Sequence, residues 1–135
     1  MSKVLKAGSI LMDTNKKKIA LVYRENLNDY SFPKGHLEKN ESLVECAIRE
    51  TEEETKRICI VLDNEPFLLS YITPRGEDVI VYFYLCKDGG KSDNDSTDTH
   101  PVIWVDYDKV YDKLSYDNLK ELWLRAKDSV SDYFK

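Results

Sequence analysis

The stretch that decides the fold runs from Gly35 to Arg57 and reads GHLEKNESLVECAIRETEEETKR. Within it, Ser42 is followed three residues later by Glu45, which is the capping-box signature of a helix start. Apolar and small residues then recur at helical spacing as far as Thr55. The sequence therefore predicts one helix over residues 42–55, preceded by a polar loop.

Three glutamates share one side of this predicted helix. Glu50, Glu53 and Glu54 lie three and four positions apart, which places their side chains about 5–6 Å from one another. Because like charges at this spacing repel, a divalent cation that accepts oxygen ligands would stabilise the arrangement. Magnesium fits, since it commonly bridges a few carboxylates to the phosphates of a substrate. The alternative is an ordinary solvated face, which we expect for Glu52 on another side of the helix.

The flanking segments alternate between strand and helix patterns. Strands are predicted over residues 4–12, 18–24, 58–62, 67–73, 79–86 and 101–105, and helices over residues 107–114 and 118–133. Residues 25–40 and 87–100 are predicted to be loops, the second of them solvated and mobile. For 135 residues we expect a single α/β domain over residues 1–135.

The composition excludes several classes of protein. Hydrophobic residues make up 41% and charged residues 33%, which is typical of a globular chain and not of a disordered one. The net charge of −5 argues against a general nucleic-acid binder, which needs a basic patch. No apolar stretch is long enough to span a bilayer and no secretory signal is present, so we expect a cytoplasmic protein. Cys46, Cys59 and Cys86 are odd in number and lie among apolar residues, which predicts buried free thiols.

The glutamate-rich stretch also follows the pattern G-x5-E-x7-R-E-U-x-E-E-x-G-U, in which U is a bulky apolar residue. Its matching residues are Gly35, Glu41, Arg49, Glu50, Glu53 and Glu54. The chain therefore resembles the Nudix family. This resemblance implies an α/β/α sandwich with a mixed central sheet. It also implies a pyrophosphohydrolase, acting on phosphorus-containing anhydrides, that uses Mg²⁺ or alternatively Mn²⁺.

Two positions depart from the family pattern. Lys56 replaces the last glycine, and Arg57 replaces the final apolar residue. A glycine at the first of these positions would end the helix in the left-handed conformation, which costs a lysine about 1 kcal/mol. The departure concerns the geometry of the following loop more than the metal ligands, because Lys56 bears no carboxylate.

The resemblance implies roles for the charged residues of the helix. Glu53 and Glu54 would be the main metal ligands, and Glu50 a further ligand or the base that orients the attacking water. Arg49 would hold Glu41 or Glu53 in place through a forked hydrogen bond, with an ordinary surface ion pair as the alternative.

The loops would complete the site. By the same resemblance, the backbone carbonyl of Lys34 binds the metal, and Gly35 lets the chain pass close to the ion. The Lys34 side chain contacts a phosphate or is simply solvated. His36 hydrogen-bonds to substrate or packs within its loop. Asp98, in the loop before the last strand, is the best-placed further metal ligand, and Asp93 and Asp95 in the same loop are the alternatives.

Looser similarities extend to the branch that cleaves diadenosine tetraphosphate (Ap4A), and this substrate class is favoured. Tyr71, Tyr82 and Tyr84 would stack an adenine, or they pack within the sheet. ADP-ribose, a nucleoside triphosphate, an RNA 5′ end and an inositol pyrophosphate are alternatives that use the same metal chemistry. The predicted partner is thus a nucleotide-type small molecule, with no membrane and no nucleic acid other than an RNA 5′ end. A non-catalytic nucleotide-binding module and a coincidental match are the remaining alternatives.

Overall fold

The computed structural model describes residues 3–134. Its strands are β1 Lys3–Asp13, β2 Lys18–Arg24, β3 Asp29–Ser31, β4 Lys34–His36, β5 Arg57–Val61, β6 Phe67–Ile72, β7 Asp78–Lys91 and β8 Val102–Asp106. Its helices are α1 Leu43–Thr55, α2 Val110–Lys113 and α3 Asp117–Asp132, with a 3-10 turn at Tyr107–Lys109 directly before α2.

The strands form one mixed sheet around β1. The main order is β3-β2-β1-β7-β5, while β4 pairs with β1, β6 with β7 and β8 with β2. β1 and β7 are parallel over ten successive residue pairs, from Lys3 opposite Asp78 to Met12 opposite Lys87. The other pairings are antiparallel. Residues 7–12 of β1 are all buried, because this strand is covered on both faces.

Helices cover the two faces of the sheet through separate apolar clusters. On one face α1 packs through Cys46 and Ala47 against Ala7 and Leu11 of β1. On the other face, α2 and α3 pack on alternate residues of the same strands, and α3 contributes Leu119, Leu122, Trp123, Ala126 and Val130. This arrangement is the predicted α/β/α sandwich with a mixed sheet, which is confirmed.

The predicted helix start is also confirmed. The Ser42 side chain accepts a hydrogen bond from the Glu45 backbone, and the Glu45 side chain accepts one from the Ser42 backbone. Cys46, Cys59 and Cys86 are buried free thiols, as predicted. Among the described helices, none combines the length and apolar character needed to cross a membrane.

The two predicted loops contain more strand than their sequences indicate. Residues 25–40 include the three-residue strands β3 and β4, which pair with β2 and β1. β7 continues through Gly89 and Gly90 as far as Lys91, so the prediction of a loop over residues 87–91 is wrong. The reason is tertiary, because Arg57 of β5 pairs with Lys91 and supplies hydrogen-bonding partners that outweigh the turn preference of the glycines.

Burial along α3 predicts a large difference between two chemically identical substitutions. Leu122→Ala removes a side chain that is 0% exposed and should lower the free energy of unfolding by about 2–5 kcal/mol through lost packing and a residual cavity. Leu124→Ala, at a side chain that is 50% exposed, should change it by less than about 0.5 kcal/mol. Urea unfolding followed by circular dichroism measures both, and equal effects would contradict the packing described for α3.

Candidate active site

The three glutamates of α1 line one cavity, of about 590 Å³. β4 contributes Gly35 and His36 to its wall, and the segment before β8 contributes Asp98 and His100. The loop and the helix that the sequence pattern links are therefore brought together around one space.

Gly35 lies directly against the side chain of Glu50. A Cβ atom at residue 35 would collide with the Glu50 carboxylate, so any other residue would force this carboxylate to turn away. Burial raises the pKa of Glu50 to about 7, with the neighbouring charge of Glu53 acting in the same direction and Arg49 opposing it. The predicted close passage of the chain at Gly35 thus serves a glutamate of the helix.

Arg49 is the centre of the charge network beside the cavity. Its Nε donates to Glu41 Oε2 at 2.5 Å and its Nη2 to Glu41 Oε1 at 2.9 Å, a forked contact that lowers the pKa of Glu41 to about 2. Nη1 lies 3.3 Å from carboxylate oxygens of Glu53 and of Glu50, and Nη2 also donates to the His36 carbonyl at 3.0 Å. One guanidinium therefore fixes the loop before α1 and partly neutralises two of the three glutamates.

Glu54 is held by the backbone before Gly35. The Lys34 N–H donates to Glu54 Oε1 at 2.9 Å, and His100 Nε2 lies 3.8 Å from Glu54 Oε2. Burial raises the pKa of Glu54 to about 7, although the Lys34 backbone and side chain act in the opposite direction. Both Glu50 and Glu54 thus resist ionisation when no cation is nearby.

The donor set fits a hard divalent cation. Three carboxylates that face one cavity, two of them disfavoured as anions by burial, supply the oxygen ligands that Mg²⁺ prefers. Within residues 3–134, no three of the acidic, histidine or cysteine side chains converge tightly enough to form a complete ligand cluster. Arg49 and the Lys34 N–H instead contact Glu53 and Glu54, so a metal ion at this site would compete with these two groups for the carboxylates. The metal roles of Glu50, Glu53, Glu54, Asp98 and the Lys34 carbonyl stay predictions.

The same cavity also has a cationic wall, which is formed by Lys6 of β1, Arg24 of β2 and Lys34 of β4. Burial, together with the nearby positive charges of Lys6 and Arg24, lowers the pKa of Lys34 to about 8. Burial also lowers the pKa of Lys6. Arg24 forms a fork with the buried Asp29, which in turn accepts a hydrogen bond from the Tyr116 hydroxyl at 2.5 Å.

Sequence reasoning identified Lys34 and missed Lys6 and Arg24. A signal for Lys6 does exist, because it occupies the same strand face as Val4, Ile10 and Met12, which pack against the α3 side of the sheet. A lysine at an apolar strand position indicates a local function. Arg24 carries no comparable signal, since it ends β2 beside exposed turn residues.

A second cavity, of about 430 Å³, adjoins the first across the cationic wall. Lys6, Arg24, Leu27, Ser31 and Lys34 line both cavities. The second cavity is otherwise lined mainly by the end of β6, the turn after it and the start of α3, with Leu69, Tyr71, Ile72, Pro74 and Leu119 among its residues. The molecule thus carries a continuous groove with an acidic end, a cationic middle and a largely apolar end.

The three predicted base-stacking tyrosines do not lie together. Tyr71 lines the apolar cavity. Tyr84 is only 4% exposed and belongs to the apolar cluster beneath α1, against which Tyr82 also packs. This position agrees with the packing alternative for Tyr82 and Tyr84, because strand alternation directs both to the α1 face of β7, and their contact with substrate stays a prediction.

Lys56 ends α1 in the left-handed conformation, with φ 59° and ψ 31°, although it replaces the glycine of the pattern. Its ammonium donates to the backbone carbonyls of Asn94 and Ser96, each at 2.6 Å. Hydrogen bonds to charged groups contribute about 1.5–3 kcal/mol, which offsets the cost of about 1 kcal/mol for a left-handed lysine.

Comparison with known proteins agrees with this architecture. A sequence model of the NUDIX domain matches residues 3–129. Since this match covers nearly the whole chain, the protein belongs to the Nudix family.

Two sequence relatives carry functional names. The chain is 32% identical over 99 residues to an 8-oxo-(d)GTP phosphatase of Mycolicibacterium smegmatis, covering 73% of this chain and 30% of the relative. It is 37% identical over 76 residues to the mRNA decapping complex subunit 2 of Schizosaccharomyces pombe, covering 56% of this chain and 10% of the relative. The chain therefore spans less than a third of the length of either relative.

Solved structures share the fold at lower sequence identity. A C. elegans Ap4A hydrolase in a binary complex superposes with a TM-score of 0.80 at 20% identity, covering 96% of this chain and 98% of that one. A NUDIX hydrolase from Nitrosomonas europaea gives a TM-score of 0.78 at 16% identity, covering 95% and 90%. At these identities the likeness establishes the fold alone.

The raised pKa values predict how the stability of the metal-free protein depends on pH. Glu50 and Glu54 have pKa values of about 7 when folded and ordinary values of 4.5. Between these values the folded state holds protons that the unfolded chain has lost, so their contribution to the free energy of unfolding falls as pH rises from about 4.5 to about 7. Glu54→Gln keeps an oxygen acceptor for the Lys34 N–H and should raise the melting temperature at pH 8 without metal, but not at pH 4.

Thermal unfolding at both pH values, with and without Mg²⁺, measures this effect. Adding Mg²⁺ at pH 8 should stabilise the wild-type protein more than the Glu54→Gln variant. Glu121→Gln, at an exposed position of α3, serves as the control for the loss of one negative charge. If Glu54→Gln instead lowers the melting temperature more at pH 8 than at pH 4, the raised pKa assigned to Glu54 is contradicted.

Proposed function

We propose that this chain is a Mg²⁺-dependent pyrophosphohydrolase of nucleoside polyphosphates, with a dinucleoside tetraphosphate such as Ap4A as the favoured substrate. The observation that carries this proposal is the groove, in which a glutamate-lined cavity is joined by a cationic wall to an apolar cavity that holds a tyrosine. These three environments match the metal-bound phosphate, the remaining phosphates and a base, in that order along an extended nucleotide.

The acidic end of the groove supports hydrolysis at phosphorus. A divalent cation, when bound, lowers the pKa of a coordinated water and neutralises charge on phosphate oxygens. Glu53 and Glu54 are the residues that would hold it, and a Glu50 carboxylate oxygen would take the proton of the attacking water. Arg49 orients both Glu50 and Glu53 through the 3.3 Å contacts of its Nη1. Water then adds to phosphorus while the bond to the bridging oxygen breaks, and the protein mainly positions the reactants.

The cationic wall supports a substrate with several phosphates. Lys6, Arg24 and Lys34 line both cavities, so a polyphosphate that runs between the cavities passes all three cations. This matters because the chain carries a net charge of −5 and needs local positive charge to hold an anionic substrate. A single phosphate at the glutamates would leave the wall largely unused, which favours the longer dinucleoside polyphosphates.

The apolar cavity supports recognition of a base. Tyr71 offers an aromatic face among aliphatic side chains and beside Asn118 and Thr73, which can donate and accept hydrogen bonds. Stacking a base on an aromatic side chain contributes about 1–3 kcal/mol. His36 and Asp98 line the acidic end instead, where His36 would contact phosphate.

A nucleoside triphosphate or an RNA 5′ end is the second candidate substrate. The sequence relatives named as an 8-oxo-(d)GTP phosphatase and an mRNA decapping subunit favour these classes. ADP-ribose and a binding module without turnover complete the set to be tested. The cytoplasmic location stays a prediction.

The decisive experiment is a substrate panel with product identification. Ap4A, 8-oxo-dGTP, capped RNA and ADP-ribose are each incubated with the protein and Mg²⁺, and the products are separated by chromatography. We expect the largest kcat/KM with Ap4A and a loss of activity on chelation of the metal. Glu53→Gln should lower kcat by at least about a hundredfold, since it weakens the hold on the cation that would neutralise charge on the reacting phosphate. Binding of Ap4A without turnover of any substrate would overturn the enzymatic proposal.

The base pocket yields a separate prediction. Tyr71→Ala should raise KM for Ap4A by about 5- to 150-fold, the equivalent of 1–3 kcal/mol, and leave kcat nearly unchanged. Tyr111→Ala is the matched control, because Tyr111 is an exposed tyrosine of α2 that lines neither cavity. Steady-state kinetics of the two variants checks whether KM changes without kcat. Equal KM values for the two variants would mean that the adenine base of Ap4A binds elsewhere.

A further inference from the structure

The four carbonyls at the C-terminal end of a helix lack partners within the helix, and in α1 the last turn also carries Glu53 and Glu54. The segment before β8 contacts these carbonyls. The His100 N–H donates to the Glu54 carbonyl at 3.1 Å. The Thr99 hydroxyl lies 3.4 Å from the carbonyls of both Glu53 and Ser96, and its single proton can go to either one. The backbone that presents the two glutamates is thus bound directly to the segment that contains Asp98.

Lys56 binds the same segment from the other side. Its side chain reaches the Asn94 and Ser96 carbonyls, each at 2.6 Å, and its own carbonyl accepts the Ser92 N–H at 2.9 Å. The ammonium also lies at the negative end of the α1 dipole, where a cation is favourable. A glycine at this position could make only the backbone contact, so the side-chain contacts are a feature of this chain.

Within the segment, successive hydrogen bonds link the residues that Lys56 binds to Asp98. The Ser96 N–H donates to the Asn94 side chain at 2.8 Å, and the Asp98 N–H donates to the Ser96 hydroxyl at 3.0 Å. Asp98 itself is exposed and lines the glutamate cavity. The two residues whose carbonyls Lys56 binds are therefore the ones that hold the backbone leading to Asp98.

We propose that Lys56 is a positioning residue that fixes the segment Ser92–His100 on the end of α1 and thereby holds Asp98 at the glutamate cavity as a metal-site carboxylate. The metal part rests on the proposed function, whereas the anchorage of the segment does not. The segment was predicted from its sequence to be mobile, and the Lys56 side chain supplies two of the contacts that hold it on α1.

Three substitutions separate the donor, the charge and the backbone conformation. Lys56→Met keeps the aliphatic stem and loses the donor, Lys56→Arg keeps a donor and the charge, and Lys56→Gly removes the side chain while relieving the left-handed strain. Lys87→Met, at an exposed lysine of β7, is the control for the loss of one positive charge.

Hydrogen exchange tests the anchorage without reference to activity. Amide exchange at Ser96, Asp98 and His100 should accelerate in Lys56→Met and Lys56→Gly, and should stay slow in Lys56→Arg and Lys87→Met. Unchanged exchange in both Lys56→Met and Lys56→Gly would overturn the proposal. Because Lys56→Gly removes the strained conformation, a well-folded variant with rapid exchange would separate positioning from a general loss of stability.

Metal titration tests the consequence for Asp98. The Mn²⁺ concentration at half-saturation, measured by calorimetry, should rise roughly tenfold in Lys56→Met. A rise of this size is expected when a residue that orients a metal ligand is lost. Asp98→Asn should have a similar effect in the wild-type background and add less than about twofold in the Lys56→Met background. The positioning role would be overturned if the effects of Lys56→Met and Asp98→Asn on Mn²⁺ binding added in full. It would also be overturned if Lys56→Met lowered stability but left the Mn²⁺ concentration at half-saturation unchanged. A wild-type protein that binds no Mn²⁺ would instead overturn the proposed function, while accelerated exchange in Lys56→Met would still support the anchorage.

Discussion

The forked ion pair between Arg49 and Glu41 is the interaction on which the site depends. It joins the loop that follows Gly35 to the middle of α1, and the remaining nitrogen of Arg49 faces Glu50 and Glu53. Without this cation, the half-buried carboxylates would repel one another, and Glu41 would be left without its main partner. The same contact therefore sets the geometry of the loop and reduces the repulsion among the glutamates in the absence of a metal ion.

Opposite charges are segregated across the groove in a way that suits a polyphosphate. The acids come from a single helix, whereas Lys6, Arg24 and Lys34 come from three different strands that meet at one end of the sheet. Because each cation is at least partly buried, its charge acts at short range and is poorly screened by solvent. An acidic protein can thus present a local positive surface beside its carboxylates, and the proposed polyphosphate substrate depends on this surface.

Prediction from the sequence was correct where one short segment contains both partners of an interaction. The capping box, the helix that follows it and the shared face of the glutamates depend on spacings of three and four residues, which a helix converts directly into proximity. The order of the elements follows from apolar periodicity in the same way, whereas the cover of both faces of the sheet was implied by the family resemblance. Strand alternation alone did not distinguish the two faces of the sheet, so the sequence left two roles open for Tyr82 and Tyr84, and the structure places both beneath α1.

The sequence by itself determined the α/β class, the glutamate helix with its start at Ser42, and the family pattern that links this helix to Gly35. Only the tertiary structure decided that Lys6 and Arg24 stand beside Lys34, that β7 continues to Lys91, and that a lysine can end α1 in a left-handed conformation. The physical reason is the range of the interactions. Helical spacing acts within one segment, whereas these features require partners that lie tens of residues away and become neighbours only when the sheet forms.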